Sequence, residues 1–206
     1  MQKIMFNDRY GLTDVVIKGQ KTMTRRIEFA KELQKMIDDS DSYYYDNGYL
    51  VFATQDVDIH HVKTRYKVGE VVAVAQSYER IGATPQHYIS RPDIDGYQII
   101  SKHKGWRNKM YVSAGLMPHQ IRIAGIRCEW LQDISDKDCM KEGVVDVTYF
   151  KIQGRPYQLF ALPGHENEET FNTPRQAFAV LIDNVSGRGT WKSNPWVVVY
   201  EFELVK

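Results

Sequence analysis

The segment Gly19-Gln20-Lys21-Thr22-Met23-Thr24-Arg25-Arg26 sets a lysine, two threonines and two arginines directly behind a glycine. A lysine amine that sheds its proton near neutral pH can deprotonate a threonine hydroxyl and make it a nucleophile for a carbonyl carbon. The spacing constrains this chemistry. In an extended strand Lys21 and Thr24 point to opposite faces, whereas Thr22, Thr24 and Arg26 share one. The two can meet only if Lys21 lies in the turn behind Gly19. The same residues also suit a solvated strand face, and spacing alone does not separate the two readings. A second candidate is Glu142, which closes the short run ISDKDCMKEG ahead of Gly143. A carboxylate at a helix C-terminus sits where the macrodipole disfavours negative charge, a position suited to a general acid. Its plain alternative is an exposed residue before a capping glycine.

Other chemistries find little support. Cys128 and Cys139 are the only cysteines of the chain and form neither a CxxC pair nor a zinc framework, so both are read as packing residues. The histidines lack HxxxH or HxH spacing, which predicts no metal site. No cofactor fingerprint is present, and no glycine-rich βαβ unit points to a dinucleotide. The 27 basic and 26 acidic side chains nearly cancel, so the chain has no global field for duplex DNA or an anionic membrane. No run approaches the roughly 18–20 apolar residues of a membrane span, and the first residues lack a signal-peptide core. A cytoplasmic protein is expected.

The elements that must position these residues follow from patterning. Thr13–Lys18 reads as a short helix with Thr13 as N-cap, stopped by Gly19 and delivering the chain into KTMTRR. Phe29, Leu33, Met36 and Ile37 form an apolar stripe on a helix over 28–38. Asn47-Gly48 between β-prone runs predicts a hairpin, in which Tyr43, Tyr44 and Tyr45 are strand residues or a stacking surface. A turn followed by an apolar strand is expected over Val68–Glu79, and strands over Ile121–Leu131 with a bulge at Gly125 and over the terminal WVVVYEFELV. Ser135 caps the helix that ends at Gly143, and Thr173-Pro174-Arg175-Gln176 opens another through a capping box. Strands interleaved with short helices predict an α+β domain, a mixed β-barrel with peripheral short helices. One domain over 1–206 is expected, with insertions near 27–66, 81–105 and 144–172.

GQKTMTRR, VGEVVAVAQSYE, the SDKDCMKEG helix and the NPWVVVYEFELV strand, in this order, resemble the ASCH superfamily, which shares the PUA-like β-barrel. The tract GWRNKMYVSAGLMPHQIRI is similar to that of members encoded by phages and mobile elements. The resemblance implies a cleft for RNA or a modified nucleoside. In the small members that hydrolyse N4-acetylcytidine, a lysine activates a threonine nucleophile and a glutamate donates a proton; these fall on Lys21, Thr24 and Glu142, and the family arginine falls on Arg26. Arg25 stands where the family commonly has an apolar residue, and the insertions have no counterpart in the small hydrolases.

Two main functions remain open on this reading, beside a protein-interaction role in a mobile element. One is an amidohydrolase for an N-acylated nucleobase or nucleoside, in which Thr24 attacks, Lys21 accepts its proton, Glu142 protonates the departing amine, and Arg26 and Thr22 bind substrate. The other is a non-catalytic module that grips single-stranded RNA while Tyr78 or Trp106 stacks on a base. The balanced charge favours a small pocket over a long RNA track.

Overall fold

A computed structural model describes residues 1–29, 31–38, 40, 42–53, 59–82, 103–148, 150–152 and 155–205. In chain order the first elements are β1 (Lys3–Ile4), α1 (Leu12–Ile17), β2 (Met23–Arg26), α2 (Lys31–Asp38), β3 (Ser42–Asp46), β4 (Tyr49–Ala53), β5 (Ile59–Lys63), β6 (Val71–Val74) and α3 (Tyr78–Ile81). There follow β7 (Gln120–Trp130), α4 (Asp136–Lys141), β8 (Val145–Asp146), β9 (Phe150–Ile152), β10 (Arg155–Tyr157), β11 (Phe160–Ala161), β12 (Thr170–Phe171), α5 (Pro174–Ser186), α6 (Thr190–Ser193) and β13 (Trp196–Leu204). The chain is α+β.

The site is carried by a five-stranded sheet in the order β1-β6-β7-β13-β2. The long antiparallel pair β7 and β13 forms its centre, β2 is antiparallel to β13, and β1 lies parallel to β6. Residues Trp196 to Tyr200 are buried in succession, which requires cover on both faces of β13. The predicted bulge is present: Gly125 pairs with Glu201 while Ile123 pairs with Phe202, leaving Ala124 as the extra residue.

Among the described residues the sheet is open and does not form the closed barrel expected from the sequence. β1 spans two residues and β2 four, too little for a ladder between these two edges. A side chain bridges them instead: Arg26 Nη2 donates to the Met5 carbonyl at 2.7 Å, with the guanidinium 5.8 Å from the Phe6 ring centroid.

The stretch 27–66 folds as α2 followed by the small sheet β3-β4-β5. Asn47 and Gly48 turn the β3–β4 hairpin with φ of 42° and 95°, the left-handed pair expected of Asn-Gly. The helix begins at Lys31, not at 28, so Phe29 lies ahead of it; Leu33, Met36 and Ile37 form the stripe on the helix, and Phe29 is buried in the same core. Of the stretch 81–105, residues 83–102 lie outside the described residues. The stretch 144–172 carries the short strands β8 to β12, in a sheet ordered β12-β11-β8 and a β9–β10 hairpin; runs this short have no periodicity to read.

Helix α1 differs from expectation at its start. Gly11, at φ 60°, is the N-cap, and Thr13 is buried in the first turn with its hydroxyl turned to Asp8 and the Phe6 carbonyl. One apolar cluster gathers Phe6, Phe29, Phe52, Ile121, Phe178 and Val198 from across the chain. A satellite cluster holds Ala73, Tyr78, Val112 and Met117.

Candidate functional site

Lys21 reaches the interior because α1 ends just ahead of it. Gly19 adopts φ 70°, and the Gln20 and Lys21 amides both donate to the Val15 carbonyl, at 2.8 and 3.0 Å. A left-handed turn of this kind favours glycine. The Thr22 amide then donates to the Lys141 carbonyl at 3.0 Å, sewing the start of β2 to the end of α4. Lys21 therefore lies in the turn and not in the strand, as the spacing required. Its side chain is 2% exposed, and Nζ donates to Glu142 Oε2 and to the Glu142 carbonyl, each at 2.6 Å.

Helix α4 delivers Glu142. Ser135 caps its N-terminus by accepting from the Asp138 amide at 3.1 Å, and Glu142 is its C-cap. Gly143 follows at φ 106°, where an added Cβ would sit 3.3 Å from Val15 Cγ2 and 3.7 Å from Lys21 Cδ. The backbone conformation favours glycine here, and an added Cβ would in addition press on the Val15 methyl.

Arg25 belongs to this cluster although the spacing argument assigned it no role. Its side chain is fully buried; Nη1 donates to Glu142 Oε1 at 3.0 Å, while Nε and Nη2 hold Glu129 Oε1 at 2.9 and 2.6 Å. Asp138 lies 3.5 Å from Nη2. Glu142 is therefore held on one oxygen by Lys21 and on the other by Arg25. A signal existed in the sequence: Arg127 and Glu129 interrupt the apolar strand β7, and the register sets Val199 between Arg25 and Arg127 on one sheet face. Arg127 pairs in turn with Glu129, Asp138 and Glu201, and Lys141 with Asp138. Lys21, Arg25, Arg127 and Lys141 balance Glu129, Asp138, Glu142 and Glu201, so this network carries no net charge.

Lys21, Thr24, Arg25 and Glu142 line one chamber of about 50 Å³, otherwise walled by Ser186 and apolar groups such as Leu12 and Phe178. Leu12, Thr24, Arg25, Val185 and Ser186 also line a neighbouring cleft of about 440 Å³, whose far wall is Met5, Phe6, Asn7 and Arg26. The cleft therefore opens at the seam between the two edges of the sheet. Thr24 stands at the junction of chamber and cleft. Its hydroxyl makes no hydrogen bond among the described residues, to Lys21 included. Burial pushes the Lys21 amine below its ordinary 10.5; Glu142 opposes this, and the nearby Arg26 and Arg25 charges add to it.

The remaining predicted site residues divide. Arg26 lines the cleft, has no carboxylate partner among the described residues, and keeps a buried Nε without a hydrogen bond. Thr22 is half-buried and binds through its backbone to Lys141 and Phe202. Tyr78 is buried in the satellite cluster with Trp106 packed beside it, and neither lines the chamber or the cleft. Cys128 and Cys139 are buried and free, with burial pushing both thiols up to about 12, as suits inert packing residues. Among the described residues no group of three His, Cys, Asp or Glu side chains is placed to hold a metal ion, and no helix is long and apolar enough to cross a membrane. Compared with known families, curated proteins and solved structures, the chain finds no match.

Proposed function

We propose that the cleft receives a small uncharged ligand of the N-acylated nucleobase or nucleoside type, and that the chamber hydrolyses its amide bond. The observation that carries this reading is the convergence of Lys21, Thr24 and Glu142 on one buried chamber opening into a cleft of nucleoside size. Lys21 gives its hydrogen bonds to Glu142 at rest. Passage of one proton across the 2.6 Å to Oε2 yields a free amine and a carboxylic acid together, the pair the reaction needs. Thr24 Oγ1 attacks the acyl carbon as Lys21 takes its proton, the C–N bond breaks as Glu142 protonates the leaving amine, and water then cleaves the acyl-threonine. Arg26, beside the cleft, orients the substrate.

The charge balance of the network supports an uncharged ligand over a phosphate chain, because among the described residues Arg26 alone of the cleft's cations lacks a carboxylate partner. Membership of the ASCH superfamily and a PUA-like fold form part of the proposal. The motif order and the bridging of the β1 and β2 edges by Arg26 support them. We place the reaction in the cytoplasm, a setting compatible with two free cysteines.

Incubation with N4-acetylcytidine and a panel of N-acylated nucleosides, followed by chromatography, is expected to release the deacylated product. Absence of turnover across the panel overturns hydrolysis. The second reading, a non-catalytic RNA-binding module of a phage or mobile element, is favoured by one observation: among the described residues no hydrogen bond joins Lys21 to the Thr24 hydroxyl. That reading requires affinity for single-stranded RNA that falls with added salt and a slope flattened by Arg26→Ala.

A further inference from the structure

We infer that Arg25 is the positioning residue of this site, fixing the Glu142 carboxylate so that one oxygen faces Lys21 alone. The inference rests on the hydrolytic reading above. A carboxylate has two equivalent oxygens and can rotate between them. Here Oε1 is occupied by Arg25 Nη1 at 3.0 Å, which leaves Oε2 to Lys21 Nζ at 2.6 Å. Arg25 is itself immobilised, since Glu129 Oε1 takes both Nε and Nη2 and Asp138 flanks Nη2. A planar guanidinium is suited to this task because its donors point in fixed directions toward two separate carboxylates. Glu129 is braced by Arg127 Nε at 2.8 Å, so the hold on Glu142 extends through β7 to the surface.

The charged groups facing Lys21 are Glu142 from the end of α4, and Arg25 and Arg26 from β2. The walls that α1 and α5 contribute to the chamber are Leu12, Phe178, Leu181, Ile182, Val185 and Ser186, none of which is charged. Arg25 thus acts on Lys21 in two ways, as a like charge and by drawing the carboxylate's negative charge toward its own oxygen, Oε1. Both effects disfavour the protonated amine.

Arg25→Lys separates positioning from simple charge. A lysine nitrogen falls near the place of Arg25 Cζ, beside Glu129 Oε1 and one C–N bond short of the Nη1 that holds Glu142 Oε1, so it keeps Glu129 and gives up the hydrogen bond to Glu142. The titration midpoint of Lys21, followed by NMR of its ε-carbon and assigned by the signal lost in Lys21→Met, is expected to move to higher pH in Arg25→Lys and further in Arg25→Met. The kcat of Arg25→Lys on an accepted acyl-nucleoside should fall between about tenfold and 100-fold with KM little changed, as for a misplaced catalytic group. Thermal unfolding is measured alongside; if Arg25→Met does not fold, Arg25→Lys decides. An unchanged Lys21 midpoint in folded Arg25→Lys overturns the inference. The titration needs no turnover, so an inactive wild-type protein would refute hydrolysis without touching this result.

Discussion

At the scale of single residues, the site separates groups that are fully engaged from one that is not. Lys21 and Arg25 both donate to Glu142, and Arg25 also to Glu129, whereas the Thr24 hydroxyl is uncommitted at the mouth of the chamber. Thr24→Ala therefore removes the attacking oxygen without orphaning a partner. Turnover should fall by orders of magnitude while stability changes by about 1 kcal/mol or less. Lys21→Arg should not rescue, since a guanidinium keeps its proton near neutral pH. Near-wild-type rates in Thr24→Ala would exclude covalent attack by this residue. The Lys21 amine also makes a prediction about stability. Its folded value lies below 10.5, so between that depressed value and 10.5 the unfolded chain holds one proton more than the native chain. Stability must then rise with pH across this window, with the destabilising contribution fully present below it. The wild-type minus Lys21→Met difference in urea unfolding free energy, measured from neutral pH upward, should show the rise. A flat difference would mean that the amine is not depressed.

At the scale of elements, most of what positions the site was legible in the sequence, and for local reasons. Gly19 gives the turn that takes Lys21 out of the strand, Ser135 and Gly143 bound α4, and Asn47-Gly48 turns a hairpin; each is a backbone preference written in one or two residues. What was not legible depends on pairing between distant segments. Glu129 stands out as a charge in an apolar strand, but nothing local pairs it or Glu142 with Arg25, because the contact is made by register across β13 and by the seating of α4. Tyr78 and Trp106 looked like stacking residues by type, yet they serve a satellite core. Among the described residues the short strands β8 to β12 pair only with one another and carry no periodic signal of their own. Gly143 is the position where element and site meet. Gly143→Ala would set a Cβ 3.3 Å from Val15 at φ 106°, so it should cost about 1–3 kcal/mol in urea unfolding and displace Glu142 from Lys21. Unchanged stability would show that the turn tolerates a side chain.

At the scale of the whole molecule, the cleft exists because the sheet stops short of closing. β1 and β2 are its edges, and Arg26 spans the seam by donating to the Met5 carbonyl and lying over Phe6. A two-residue edge strand has little hydrogen bonding of its own: the Ala73 amide donates to the Gln2 carbonyl at 3.0 Å and the Ala75 amide to the Ile4 carbonyl at 2.9 Å. If Arg26 holds that edge in place, Arg26→Met, which keeps the apolar stem and loses the donor, should let β1 open locally while the rest of the sheet stays closed. A charge-assisted hydrogen bond contributes about 1.5–3 kcal/mol, and part of this is offset because the unpartnered Nε is removed as well. Amide exchange at Ala73 and Ala75 should accordingly quicken by about tenfold. The Val74 amide serves as an internal control, since it donates at 2.9 Å to the His119 carbonyl on the β7 side of β6. Equal acceleration at all three amides would indicate global destabilisation, and no acceleration at Ala73 and Ala75 would show that β1 is held by its packing, with Arg26 free to move toward a ligand in the cleft.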